Sequence, residues 1–253
     1  MRSIFLIFAA AGFSSFCLQA DERNYSLWPQ RPAAVSEAVA LLENGEDPEK
    51  ACRLAQSCLH AYGIGGREAR RIVGCVNVRK YLSGNGSWLT EQTVQRGDTL
   101  FRLANRLQCP VDVLIYLNHM ASTSLRAGQK IKIPARPLLL EIRLDSREVL
   151  VWDDETLVAA YPIVSSKGTE TLSGSALVES RIAFLQGGRV EPAQIMSYVS
   201  ADKQIVLSGG KCRIASLPDT SSASAVIHLA REDCNELALL LKKGNKVRIL
   251  QGG

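Results

Sequence analysis

The segment from Thr93 to Pro134 constrains this chain more than any other, because four elements follow one another there with few residues to spare. Thr93-Val94-Gln95 reads as a short strand, and Gly97 permits the sharp turn after it. Asp98 stands where an N-cap is wanted, ahead of a helix carrying Leu100, Leu103, Ala104 and Leu107 on one face. A second helix over Val111–Leu117 contributes Val113, Leu114 and Leu117. Asn118 closes it, since Asn tolerates a left-handed backbone better than most residues. Ala127-Gly128 makes a turn, and Lys130 to Ile133 alternates outward lysines with inward isoleucines. The expected unit is a small βααβ core.

Along its whole length this segment, "TVQRGDTLFRLANRLQCPVDVLIYLNHMASTSLRAGQKIKIP", resembles the LysM family and keeps that family's element order. One departure is Cys109-Pro110, which stands where the family usually has a Ser or Thr cap. The resemblance implies binding of N-acetylglucosamine-containing glycan, such as peptidoglycan strands or chitin, in a shallow groove between two loops. It places Gly97, Asp98, Thr99 and Leu100 in one loop and Asn118, His119 and Met120 in the other. The chemistry is reasonable. Backbone amides at a helix start and after a turn pair with acetamido carbonyls, while Leu100 and Met120 offer apolar contact to the acetyl methyl. Gly97 and Asp98 also serve as turn and cap, and a lone loop histidine such as His119 is more often a solvated side chain.

The chain has 253 residues, 46% of them hydrophobic and 22% charged, which is globular composition with room for two or three small domains. Arg2, the apolar run Ile4 to Phe13 and the small-residue site Leu18-Gln19-Ala20 read as a signal peptide over residues 1–20. Cys17 follows Phe16 rather than the small residue that lipid-anchored proteins carry there, so ordinary cleavage after Ala20 is the reading taken. The leader is too short to cross a bilayer as a helix, and no later stretch is long enough. The expectation is export across the inner membrane to the periplasm or cell envelope, with no transmembrane helix after signal removal. Net charge is +5, spread along the chain without a basic patch or nucleic-acid motif, so nucleic-acid binding is rejected.

Residues 21–82 read as a helical region: Ala33–Glu43, then Pro48–Ala61 capped by Asp47, then Arg67–Tyr81 after a turn at Gly63-Ile64-Gly65-Gly66. Residues 83–92, with Ser83-Gly84-Asn85-Gly86-Ser87, read as a flexible linker, and Pro134 to Pro137 as a short stiff joint. Beyond Cys17, Cys52, Cys58, Cys75, Cys109, Cys212 and Cys234 make an even number in an oxidising compartment. Disulfides are compatible with that count, in a pairing that sequence does not reveal. No metal-ligand spacing is present, and no cofactor or metal is expected.

From Leu138 the pattern turns to strands: "LLLEIRL", "EVLVW" and "TLVAAYPIV", with turn signals at Asp145-Ser146 and Asp153-Asp154. A helix over Asp233–Lys242 and a strand over Lys246–Leu250 close the chain. Residues 138–251 resemble, in this block order, the catalytic domain of L,D-transpeptidases. "TLSGSALVES" stands where that family has a Thr-Pro-x-Gly-x-Phe turn, and "AVIHLAREDCNELALLLKKGNKVRIL" fits its closing block. The resemblance implies a cysteine thiolate nucleophile with a nearby histidine, carried by Ile-His-Gly and by Ser-His-Gly-Cys followed by Ile-Arg. Here the first motif reads Leu207-Ser208-Gly209, and the second reads Ala223-Ser224-Ala225-Val226 followed by Ile227-His228. Val226 falls at the nucleophile, and Ser208 and Ser224 at the two histidines. A methyl-branched side chain forms no thioester.

The sequence therefore describes a multidomain α+β chain with a helical N-terminal region, a βααβ module over 93–134 and a mostly-β transpeptidase-like domain over 138–251. The functional expectation is a peptidoglycan-binding envelope protein with no catalytic residue, its second domain a scaffold or a surface for peptide stems or envelope proteins. The enzyme alternative uses Cys212 as a displaced nucleophile, its pKa depressed by Lys211, with none of His60, His119 and His228 convincing as its base. A third, structural alternative is an envelope component linked through disulfides.

Overall fold

The computed structural model describes residues 31–86, 88–209, 212–216 and 224–251. The expected signal segment, Cys17, Lys211 and Ala223 lie outside the described residues. The chain divides into two compact units, one ending at Ile72 and one beginning at Val73.

The first unit holds α1 (Ala33–Glu43), α2 (Pro48–Gln56) and the start of α3 (Gly63–Leu82). Helix α1 has the bounds its apolar spacing predicts and buries Val35, Ala38, Val39 and Leu42. Asp47 caps α2 by accepting from the backbone N–H of Glu49 and Lys50, each at 3.0 Å. That helix stops at Gln56 rather than Ala61, because Ser57 Oγ donates to Leu54 O and the chain tightens into i→i+3 bonds from Cys58 onward. The glycines at 63–66 are not a turn but the first turn of α3. Close approach explains them. A Cβ on Gly66 would lie 1.7 Å from Ala61 O, and one on Gly65 would lie 2.4 Å from the Pro32 ring.

The second unit contains the rest of α3, the small module and the large sheet. The module comprises β1 (Leu89–Thr93), α4 (Leu100–Arg106), α5 (Val111–Leu117) and β2 (Lys130–Pro134), with β1 and β2 antiparallel from Leu89↔Pro134 to Thr93↔Lys130. Strand β1 thus occupies the last four residues of the expected linker and ends where the strand was expected to start. Its residues from Thr90 to Thr93 are exposed, so the ladder to β2 holds it, not an apolar face.

The remaining strands are β3 (Leu139–Arg143), β4 (Glu148–Asp153), β5 (Thr156–Pro162), β6 (Ser165–Lys167), β7 (Gly174–Leu185), β8 (Gly188–Val190), β9 (Asp202–Leu207), β10 (Cys212–Ser216), β11 (Ala225–Leu229) and β12 (Lys246–Leu250). They form one 10-stranded sheet in the order β5-β4-β3-β12-β7-β9-β10-β11-β6, with β8 on β7. The last strand is inserted between β3 and β7, parallel to β3. Two helices accompany the sheet: α6 (Ile195–Ser200) packs on β7, and α7 (Arg231–Leu240) on β9 and β10.

Module and sheet share one apolar core. Leu100, Leu103, Leu114, Leu117 and Ile131 join the same buried cluster as Leu140, Ile142, Ile205 and Ile214. Helix α5 packs on both α6 and α7. Across this junction Asp112, in the first turn of α5, meets Arg181 Nη2 of β7 at 2.5 Å and Lys203 Nζ of β9 at 3.7 Å. All three side chains are no more than 5% exposed. Lys203 also donates to Tyr198 O at 2.6 Å and Ala201 O at 2.7 Å, and burial pushes its pKa down.

The two ends of the module are pinned as well. Ala135 N–H donates to Trp88 O at 2.7 Å. Asp153, 4% exposed at its side chain, accepts from Tyr81 Oη at 2.7 Å and from the Arg136 guanidinium at 2.6 and 2.8 Å. Earlier in α3, Gly74 lies so close to β5 that a Cβ there would sit 2.5 Å from Ala160 N.

Candidate functional site

Both expected loops leave the same end of the β1–β2 ribbon. The first lies in the connection that follows Thr93, and Asn118, His119 and Met120 open the connection that ends at Lys130, the register partner of Thr93. They are tied at the base by Val94 N–H to Gln129 O at 2.8 Å and Gly128 N–H to Val94 O at 2.9 Å.

In the first loop Gly97 has φ +87° with open space where a Cβ would be, so it serves the turn alone. Asp98 does not cap α4. Its carboxylate accepts from Gln95 N–H at 2.8 Å and holds Arg106 through paired bonds of 2.7 and 2.8 Å. The Arg106 guanidinium, then the Gln95 amide, hold its pKa below the usual carboxylate range. The cap is Thr99, whose Oγ1 accepts from Arg102 N–H at 3.3 Å. Leu100 is 1% exposed and belongs to the core, so it presents no surface to a ligand here. This corrects the apolar contact expected of it: the helix start turns that side chain inward with Leu103 and Ala104.

In the second loop Asn118 is a clasp. Its Nδ2 donates to Leu114 O at 2.8 Å and Lys132 O at 2.9 Å, and its Oδ1 accepts from Lys132 N–H at 2.7 Å. It does not adopt the left-handed backbone, which falls instead on His119 at φ +48°. Asn118→Ala removes two bonds that join the end of α5 to Lys132 of β2 and one that caps α5 at Leu114. The expected cost is about 2–4 kcal/mol at roughly 1 kcal/mol for each bond plus unsatisfied partners, read as a lowered urea midpoint. His119 is exposed, and its Nε2 lies 3.1 Å from Ser83 O. Met120 is half-buried against the core. Of the seven expected loop residues, Gly97, Thr99 and His119 are exposed and Met120 is partly exposed.

In the sheet domain, Ser208 is exposed at the end of β9, its Oγ accepting from Leu177 N–H at 3.1 Å, and Ser224 is exposed just before β11. Val226 is 5% exposed within β11, opposite Arg213 of β10 and Lys167 of β6. His228 stands opposite Ser165, whose Oγ lies 2.9 Å from its Nδ1, an ordinary cross-strand bond. Cys212 is 4% exposed on β10, and burial pushes its thiol up to about 11. Burial likewise raises Cys109 and Cys234 to about 12. The six cysteines beyond Cys17 all stand as thiols, so their even count does not translate into bridges here.

A βααβ unit with both helix-flanking loops at one end of a two-stranded ribbon is the class of module that this geometry defines. Residues 93–134 match the family model of the LysM domain. Comparison with curated protein sequences finds no match. Among solved structures, similarity is found to the L,D-transpeptidase from Mycobacterium smegmatis, at 11% identity over 49% of this chain and 63% of that one, TM-score 0.33. A mutant of the Enterococcus faecium L,D-transpeptidase is 18% identical over 51% of this chain and 56% of that one, TM-score 0.33. A segment of the L,D-transpeptidase from Xylanimonas cellulosilytica is 14% identical over 90% of this chain and 100% of that one, TM-score 0.35. The chain thus spans less than two thirds of the length of the first two. Among the described residues, no helix is long and apolar enough to cross a membrane.

Proposed function

We propose that this protein is an exported cell-envelope protein that holds peptidoglycan glycan through the module at residues 93–134, and that its sheet domain performs no transpeptidation. The LysM match supports the glycan part, export rests on the leader read at residues 1–20, and the groove is assigned to the connections that follow β1 and precede β2. An acetylated amino sugar needs amide donors and acceptors beside a small apolar contact. Exposed Gly97 and Thr99 in one loop and half-buried Met120 in the other offer that chemistry.

Silence of the sheet domain rests on the aligned motifs, in which Val226, Ser208 and Ser224 replace the groups that would form and resolve a thioester. The burial of Val226 supports that reading, since no solvent-facing nucleophile stands at its position. The kinship of the sheet domain with L,D-transpeptidases is itself part of the proposal and rests on the order of sequence blocks. Retention of the full chain on purified sacculi tests the binding. The expected result is a bound fraction that free N-acetylglucosamine oligomers compete away, and a protein that passes straight through would refute it.

A further inference from the structure

Residues 83–86, expected to be a flexible linker, are instead laid against the second loop of the module. Lys132 Nζ donates to Gly84 O at 2.6 Å and to Asn85 Oδ1 at 3.1 Å, and His119 Nε2 lies 3.1 Å from Ser83 O. Gly84 is buried with φ +74°, and a Cβ on it would stand 2.4 Å from Leu117 O and 3.4 Å from His119 Nε2. Only a glycine lets the backbone come this near to the end of α5. The groups that His119 and Lys132 hold are amide carbonyls. The acetamido group of N-acetylglucosamine presents the same carbonyl at the end of a short, flat substituent.

We propose that Ser83–Asn85 is a built-in strap that occupies the acetamido-binding part of the glycan groove, and that an N-acetylglucosamine oligomer must lift it to seat fully. This rests on assigning residues 118–120 to the groove. The strap lowers apparent affinity by the fraction of molecules in which it is docked, so loosening it strengthens binding without any new contact to the sugar. The bonds of Ser83 to His119 and of Asn85 to Lys132 are exposed, which makes exchange for a sugar feasible.

The test uses the full chain and the N-acetylglucosamine tetramer in calorimetric titration, comparing wild type with Gly84→Ala and Asn85→Ala. Gly84→Ala, which cannot dock, is expected to bind roughly tenfold more tightly, and Asn85→Ala to shift by less in the same direction. Hydrogen exchange at residues 83–86 is expected to speed up in wild type when the tetramer saturates it. Equal or weaker binding by both variants, or unchanged exchange, overturns the strap and leaves the glycan reading standing. No binding by any of the three proteins overturns both.

Discussion

Asp112→Ala is expected to destabilise the second unit by about 3–5 kcal/mol, the usual cost of stripping a buried charge of its partner. The carboxylate is the one anion shared by Arg181 and Lys203, and all three side chains are at most 5% exposed. Arg181 has no alternative at hand: its Nε and Nη1 meet no hydrogen-bond partner among the described residues. Lys203 keeps its two carbonyls but loses the charge that offsets its burial. Chemical denaturation with fluorescence detection reads the effect. Because α5 carries Asp112, hydrogen exchange is also expected to speed up along α5 and β2. Adding Arg181→Met and Lys203→Met to the same chain is expected to recover most of the loss, since the buried positive charges go with the negative one. A single change that costs less than about 1 kcal/mol would contradict the buried cluster.

The second large effect is at Cys212. With its thiol raised to about 11 by burial, only about one molecule in 10⁴ carries the thiolate at pH 7. Incubation with a carbapenem is expected to leave the protein mass unchanged. Alkylation at Cys212 is expected to run roughly a hundredfold slower than at an exposed, unperturbed thiol, with half-buried Cys58 labelled first. A carbapenem adduct that disappears in Cys212→Ala would establish the enzyme alternative, in which the thiolate opens the lactam ring and keeps its carbonyl as a thioester.

Much of the fold was legible where burial and local pattern coincide. The apolar positions of α1, the two isoleucines of β2 and the bounds of α5 and β12 could be read directly, because each element buries one regular face. Strand β1 could not, because its exposed residues carry no alternation and its pairing depends on β2, some forty residues on. The glycines of α3 were misread for a similar reason. Their cause is contact with Pro32 and Ala61, and a Gly-rich tetrapeptide carries no mark that separates close packing from a turn.

The site shows the same division. The turn at Gly97 follows from local chemistry and the loop positions from the LysM resemblance, although the cap falls on Thr99, one residue after its expected place. Asp112 gave no warning, because an acid in the first turn of a helix looks like ordinary dipole compensation and its partner Arg181 is 69 residues away. The strap was equally hidden, since Ser83 to Ser87 has the composition of a linker and the partners of Ser83 and Gly84, His119 and Lys132, stand 36 and 48 residues further along the chain.

The central claim is that two loops at one end of the β1–β2 ribbon form a cleft for an acetylated amino sugar. The most direct measurement is a residue-by-residue amide titration of the full chain with the N-acetylglucosamine tetramer. Saturable shifts are expected at residues 95–99 and 118–123, together with residues 83–86, and nowhere else. Shifts centred on the sheet around β9 to β11, or none at concentrations that saturate other glycan-binding modules, would contradict it.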